Sequence, residues 1–153
     1  SDLIQRTHNK LLVKLIIATI LIFTLNLPAQ NKWKLNGIYL GSIITNGIGE
    51  GLNDSGNKEW GHAFNAISIS FLLISPFLHD YSKDVWWKPV IKYSFIRIGF
   101  FDFTYNATRQ LPYNYIGDTS WWDKGMQKLA PPDGFAFGRV VFATIGFSIP
   151  VTK

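Results

Sequence analysis

Long apolar runs alternate with short polar breaks along the whole chain. Four runs approach membrane-spanning length: Leu11–Leu27, Ala63–Leu78, Val90–Thr108 and Phe135–Val151. A run of this size makes about 25 Å of helix at 1.5 Å rise per residue. The hydrocarbon core of a bilayer is about 30 Å thick, so each is a marginal span unless its flanks extend it.

The breaks read as helix punctuation. Asn53-Asp54-Ser55-Gly56-Asn57 is a turn cluster. A helix is predicted from Lys58 to about Leu78, with Pro76 forcing a kink or stop near Ser75. Pro89 suits the first turn of the next helix, which runs to about Thr108 and is closed by Leu111-Pro112. Thr119 or Ser120 is placed to cap a short helix, Trp121–Leu129. Ala130-Pro131-Pro132-Asp133-Gly134 then breaks the chain before the last run.

Asn36–Leu52 is apolar but carries Gly37, Gly41, Gly47, Gly49 and Gly51. As a helix it places Asn46, Glu50 and Asn53 on one face, and its small residues would admit a neighbouring helix closely. A glycine-rich loop or a pair of short strands is the alternative. At the N-terminus, Arg6 and Lys10 precede the Leu11–Leu27 run, and Pro28-Ala29 follow it. Residues 1–29 therefore read as a secretory signal, with Ala29 the last residue removed, or as a membrane anchor. Residues 30–153 read as one helical membrane domain.

Composition sharpens this picture. Charged residues make up 16% and aromatics 16%, so the surface is short of charge and rich in rings. Trp33, Trp60, Trp86, Trp87, Trp121 and Trp122 all stand at run ends, where amphipathic rings anchor spans at the membrane interface. The expected fold is all-α: a small polytopic membrane bundle of roughly three to five helices with a short interfacial helix at Trp121–Leu129. A soluble aromatic-rich helical bundle is the rival. An outer-membrane β-barrel needs period-two alternation, which Ala63–Leu78 lacks.

The net charge is +5, but the basic residues are scattered rather than clustered, so no nucleic-acid partner is expected. The expected partners are the lipid bilayer and a membrane-protein partner or a second copy of the chain. Cysteine is absent, which excludes a disulfide framework and thiol chemistry. The three histidines show no HxxxH or HExxH spacing, and no phosphate-binding loop or GxSxG elbow occurs. No metal or cofactor is called for.

Ionisable groups inside apolar runs are costly and so face a partner or a cavity. Arg97, Asp102 and Arg139 meet that description, and Glu50 and His62 join them if their segments enter the bilayer. Asp102, Asn106 and Arg109 share one helix face, whereas Arg97 points roughly 140° away from Asp102. Arg97 is therefore expected to meet an acid from another helix, with Glu50 the first choice. His62 is expected to donate a hydrogen bond at a helix start.

The order His62, then Arg97, Asp102 and Asn106 is similar to that of VanZ-like small membrane proteins. These carry a His early in one helix and an Arg…Asp…Asn series in a later one. The acidic-plus-Gln pair of that pattern is absent here, so the resemblance carries no activity across. Two functions stay open: a structural or partner-binding membrane protein, or a membrane enzyme or carrier. The second would handle a polar headgroup or small anion through Glu50, His62, Arg97, Asp102 and Asn106.

Overall fold

The computed structural model describes residues 32–80, 82–118, 121–129 and 132–151, and every regular element among them is helical. Helix α1 is Lys32–Asp54, α2 is Lys58–Ile74, α3 is Lys88–Thr108, α4 is Trp121–Leu129 and α5 is Pro132–Ser148. The segment 1–29, and with it the run Leu11–Leu27, lies outside the described residues.

The glycine-rich stretch is fully helical, within the 23 residues of α1. Gly47, Gly49 and Gly51 are notches cut for two neighbours. A Cβ on Gly47 would come within 1.9 Å of the Thr104 hydroxyl, and one on Gly51 within 2.8 Å of Thr108, both on α3. Gly49 and Gly61 abut reciprocally: a Cβ on either would lie under 3 Å from the other's carbonyl oxygen. Close backbone approach of this kind is what small residues permit between helices. The turn cluster closes α1 with Gly56 at φ +87°, its N–H on the Asn53 carbonyl and the Asn57 N–H on that of Leu52. That is the left-handed Schellman ending, in which glycine meets no Cβ penalty.

Pro76 acts where the sequence places it. Helix α2 stops at Ile74 and a 3-10 turn, Ser75–Leu78, follows. Helix α5 starts at Pro132 and ends at Ser148, rather than spanning Phe135–Val151. Proline fits a first helical turn, and Pro150 disfavours helical backbone at Ile149.

Contacts order the long helices as a row, α2–α1–α3–α5. Asn46 meets Asn65 and Ser42 meets Ser68, so α1 and α2 are antiparallel. Gly47 packs on Thr104 and Gly51 on Thr108, so α1 and α3 run parallel. Gly99 lies against Ala143 and Gly146 against Ile96, so α3 and α5 are antiparallel. The apolar core runs through the middle of the row: Leu35, Tyr39, Ile43, Ile96, Phe100, Ala143 and Val151.

Among the described residues, one helix, Lys58–Leu78, is long and apolar enough to cross a membrane, and Ala136–Ser148 is a shorter apolar helix. The expected span Val90–Thr108 does not qualify, because α3 carries Lys92, Arg97 and Asp102 along its length.

Candidate functional site

Polar side chains gather in the interior of the row at three levels. The first links three helices through amides. Arg97 on α3 donates from Nη1 to Asn46 Oδ1 on α1 at 2.7 Å. Asn46 Nδ2 donates to Asn65 Oδ1 on α2 at 3.0 Å, and Asn65 Nδ2 donates to Glu50 Oε1 at 2.8 Å. The Arg97 guanidinium also lies 4.3 Å from the centre of the Phe101 ring. Arg97 and Glu50 are thus joined through two asparagines and do not form the direct pair expected from sequence. Asn46, one turn before Glu50 on the same face of α1, reaches the guanidinium instead.

The second level is an ion pair that also holds a loop. Arg139 on α5 donates from Nη2 to Asp102 Oδ2 at 2.7 Å. Its Nη1 donates to the Tyr113 carbonyl at 3.1 Å, and Nη2 is 3.4 Å from that of Tyr115. Asn106 Nδ2 donates to the same Tyr115 carbonyl at 3.0 Å. A charge taken from water must find partners of this quality or cost several kcal/mol.

The third level was not anticipated from sequence. Lys92, 2% exposed, donates from Nζ to the carbonyls of Gly146, Phe147 and Ile149, each at 3.0 Å. These are carbonyls at the end of α5, which has no following turn to receive them. The ammonium also complements the negative end of the helix dipole. The available signal was spacing: Lys92, Ile96 and Gly99 lie on one stripe of α3, the buried one. A second unanticipated group lies in the α2–α3 connection. His79 Nδ1 is 2.9 Å from Asp84 Oδ2, and its Nε2 is 3.4 Å from the Tyr39 hydroxyl.

A cleft of about 680 Å³ opens along α3 beside the first two levels. Arg97, Phe101, Asp102, Tyr105 and Arg109 line it from α3, with Asp54 from the end of α1. Asp118 and Asp123 complete the wall from the loop after Tyr115 and from α4. At this end Tyr105 donates its hydroxyl proton to Asp54, while Arg109 Nη1 donates to the Tyr105 oxygen at 2.8 Å and lies 3.7 Å from Asp54.

The structure therefore brings Arg97, Asp102 and Asn106 to one cleft, with Glu50 connected to it through the two amides. His62 is exposed on α2 and does not join them. It lies one turn before Asn65, and the face of α2 turned to α1 is marked by Gly61, Asn65 and Ser68. Among the described residues no group of three His, Cys, Asp or Glu is placed to hold a metal ion. Trp33, Trp60, Trp86, Trp87 and Trp121 are exposed, and the side chain of Trp122 lies outside the described residues.

Comparison of the chain with protein-family models, with curated proteins and with solved structures finds no significant match.

Proposed function

We propose that this chain is an integral membrane protein with a structural or partner-binding role, built on helices whose polar groups are turned inward. The carrying observation is the inverted distribution of polarity. Asn36, Ser42, Ser68, Lys92, Asn106 and Arg139 are buried, while Ile69 and Leu73 on α2 and Phe77 in the 3-10 turn after it are exposed, Phe77 at 87%. Phe137, Val140, Val141 and Ile145 on α5 are exposed as well. Only 17% of the apolar window in Lys58–Leu78 is covered by the rest of the protein. Each large apolar side chain left in water forgoes about 1.5–3 kcal/mol of burial, and lipid would supply that burial.

The hydroxyls on the outer surface agree with this. Ser70, Ser94, Thr144 and Ser148 are exposed, and each donates to the carbonyl four residues earlier, at 2.8–2.9 Å. Such internal bonds leave little polar group for hydrocarbon to solvate. The exposed tryptophans stand near helix starts, where an interfacial belt would place them. The test is carbonate extraction of membranes from cells expressing the protein, with intact mass on the same sample. Retention until detergent is added supports the reading. Release by carbonate overturns it in favour of a soluble aromatic bundle.

A second reading is favoured by one specific observation. Arg97 lines the cleft, yet no carboxylate lies within ion-pair distance of it among the described residues. A cation kept in that state suits a carrier or enzyme that handles a polar headgroup or small anion. Loss of ligand binding on Arg97→Gln, with the fold retained, would separate this role from a purely structural one.

A further inference from the structure

One face of α3 alternates cations and rings. Arg97, Phe101, Tyr105 and Arg109 follow one another at single-turn spacing, and all four line the cleft. The Arg97 guanidinium lies 4.3 Å from the centre of the Phe101 ring, Phe101 stacks on Tyr105 at 6.2 Å, and Arg109 lies 5.6 Å from the Tyr105 centre. The two ends of this column differ in charge balance. Arg109 is answered by Asp54, at 3.7 Å and through Tyr105. Arg97 meets no carboxylate at ion-pair distance among the described residues. Glu50 stands two amides away from it. Of the two cations among the described lining residues, Arg97 is thus the one left without an acid.

That guanidinium is set before any ligand arrives. Asn46 Oδ1 takes Nη1 at 2.7 Å, and Asn46 is held in turn by Asn65, whose own amide donates to Glu50. Each amide accepts on one side and donates on the other, so neither turns without breaking a bond. Among the described residues no acceptor takes Nε or Nη2. These two nitrogens form one edge of the planar fork, and such an edge grips a carboxylate through two parallel bonds. A preset rotamer also loses little entropy on binding. The charge of the ligand is limited as well. Asp102 and Asp118 line the same cleft, and Asp118 is exposed. A second negative charge on the ligand would face these carboxylates with no further cation to balance it. Part of the lining is apolar: Ile98 and Phe101 from α3, and Ile116 from the loop. The cleft, about 680 Å³, falls in the range of small-molecule sites, about 300–1,000 Å³, and a bare carboxylate would leave most of it empty.

We propose that the cleft binds an amphiphilic monocarboxylate, with its single carboxylate on the Nε–Nη2 edge of Arg97 and its apolar body along Ile98, Phe101 and Ile116. This rests on the second reading above, that the cleft handles a headgroup or small anion. The shared chemistry is one carboxylate on an aryl or alkyl body, taken from water or, as a fatty acid, from the bilayer.

The experiment is calorimetric titration of the full chain in maltoside micelles, against matched injections into empty micelles. The probes are phenylpropionate, acetate, phenylpropanol and phenyl phosphate, slightly above neutral pH, where the last is mostly a dianion. The expected result is that phenylpropionate binds at least about tenfold more tightly than each of the others, a difference of about 1.4 kcal/mol. Arg97→Gln should weaken it at least about tenfold at an unchanged melting temperature. If Arg97→Gln does not fold, Arg97→Lys, which keeps the charge and loses the fork, should still weaken it. The order of the four probes is read on the unaltered chain and stands even if neither variant folds. Repetition in bilayers with and without oleate separates the sources. Competition from oleate means that a membrane fatty acid reaches the site, and no competition means a carboxylate taken from water. Phenyl phosphate binding as tightly as phenylpropionate would overturn the inference and leave the cleft an anion site. Acetate or phenylpropanol binding as tightly would overturn it too, since the body or the charge would then add nothing. No binding of any probe would overturn both the inference and the reading beneath it. Phenylpropionate binding unchanged by Arg97→Gln, or by Arg97→Lys where that variant replaces it, would overturn the assignment of the site.

Discussion

Asp102 and Arg139 form an ion pair at 2.7 Å in which the arginine side chain is 0% exposed and the carboxylate is 33% exposed. The asymmetry gives the two partners different work. Arg139 sits behind the wall and also holds the Tyr113 and Tyr115 carbonyls, while Asp102 presents a face to the cleft. Removal of the arginine should therefore damage the fold more than neutralisation of the acid. Arg139→Ala is expected to cost about 3 kcal/mol, the lower end for breaking a buried pair. Asp102→Asn, which can still accept a hydrogen bond, should cost less. Denaturant unfolding in detergent, run as a double-mutant cycle, measures both and their coupling. Equal costs for the two variants would contradict this division.

Lys92 is expected to be worth more as a cap than as a charge. Lys92→Met keeps the stem and removes three hydrogen bonds to the end of α5. The loss should be about 2 kcal/mol, in the range for bonds to a charged donor. Melting temperature checks it, and a neutral outcome would mean that water takes over those carbonyls.

Two glycines make a matched test of helix packing. Gly99 has no room, since a Cβ would lie 2.5 Å from the Cβ of Ala143 and 2.8 Å from the Arg139 carbonyl. Gly37 has nothing within 4 Å. Gly99→Ala should destabilise by about 1–3 kcal/mol through overpacking. Gly37→Ala should stabilise by about 0.5–1 kcal/mol through helix propensity. Opposite signs in thermal unfolding are the expected readout.

Gln110 ends α3 at φ +56°, in the left-handed region. The Leu111 N–H donates to the Asn106 carbonyl at 2.8 Å, the same closure that Gly56 gives α1. A side chain in that conformation costs about 1–2 kcal/mol. Gln110→Gly should recover about 1 kcal/mol after the added freedom of the unfolded chain is counted. An unchanged or lowered melting temperature would show that the Gln110 side chain compensates the strain.

Asp80, in the α2–α3 connection, titrates below its ordinary value of 3.8. The Ser82 hydroxyl, bonded to Oδ1 at 2.6 Å, is the main cause, and Lys83 at 3.1 Å from Oδ2 adds to it. The folded protein thus favours the ionised form. This contribution is present above pH 3.8 and is lost as pH falls through the lowered value. Carbon-detected NMR titration should show Ser82→Ala raising the Asp80 value toward the ordinary one.

Much of the helical framework was legible because it is local. Pro76 ends α2 and Trp121–Leu129 forms a helix as the sequence predicts. The glycines of α1 were harder, since a Gly-rich run fits loop, strand or helix alike. Only contact with α2 and α3 gives Gly41, Gly47, Gly49 and Gly51 their purpose. Charges inside apolar runs did mark the polar interior, and Arg97, Asp102 and Arg139 all lie there. Their partners could not be read, because Arg97–Asn46 and Asp102–Arg139 cross between helices. Helical phase on α3 separates Arg97 from Asp102 and gives no hint that one cleft receives both.

The sequence by itself determined most of the elements outside α1: where backbone hydrogen bonds close into helices, and where proline and glycine stop them. These depend on residues within about four positions of one another. The tertiary structure decided the rest: the row α2–α1–α3–α5, the amide series between Arg97 and Glu50, and the seat of Lys92 on α5. A buried charge settles on whatever donor or acceptor the packing brings within about 3 Å, and that distance has no counterpart in sequence spacing.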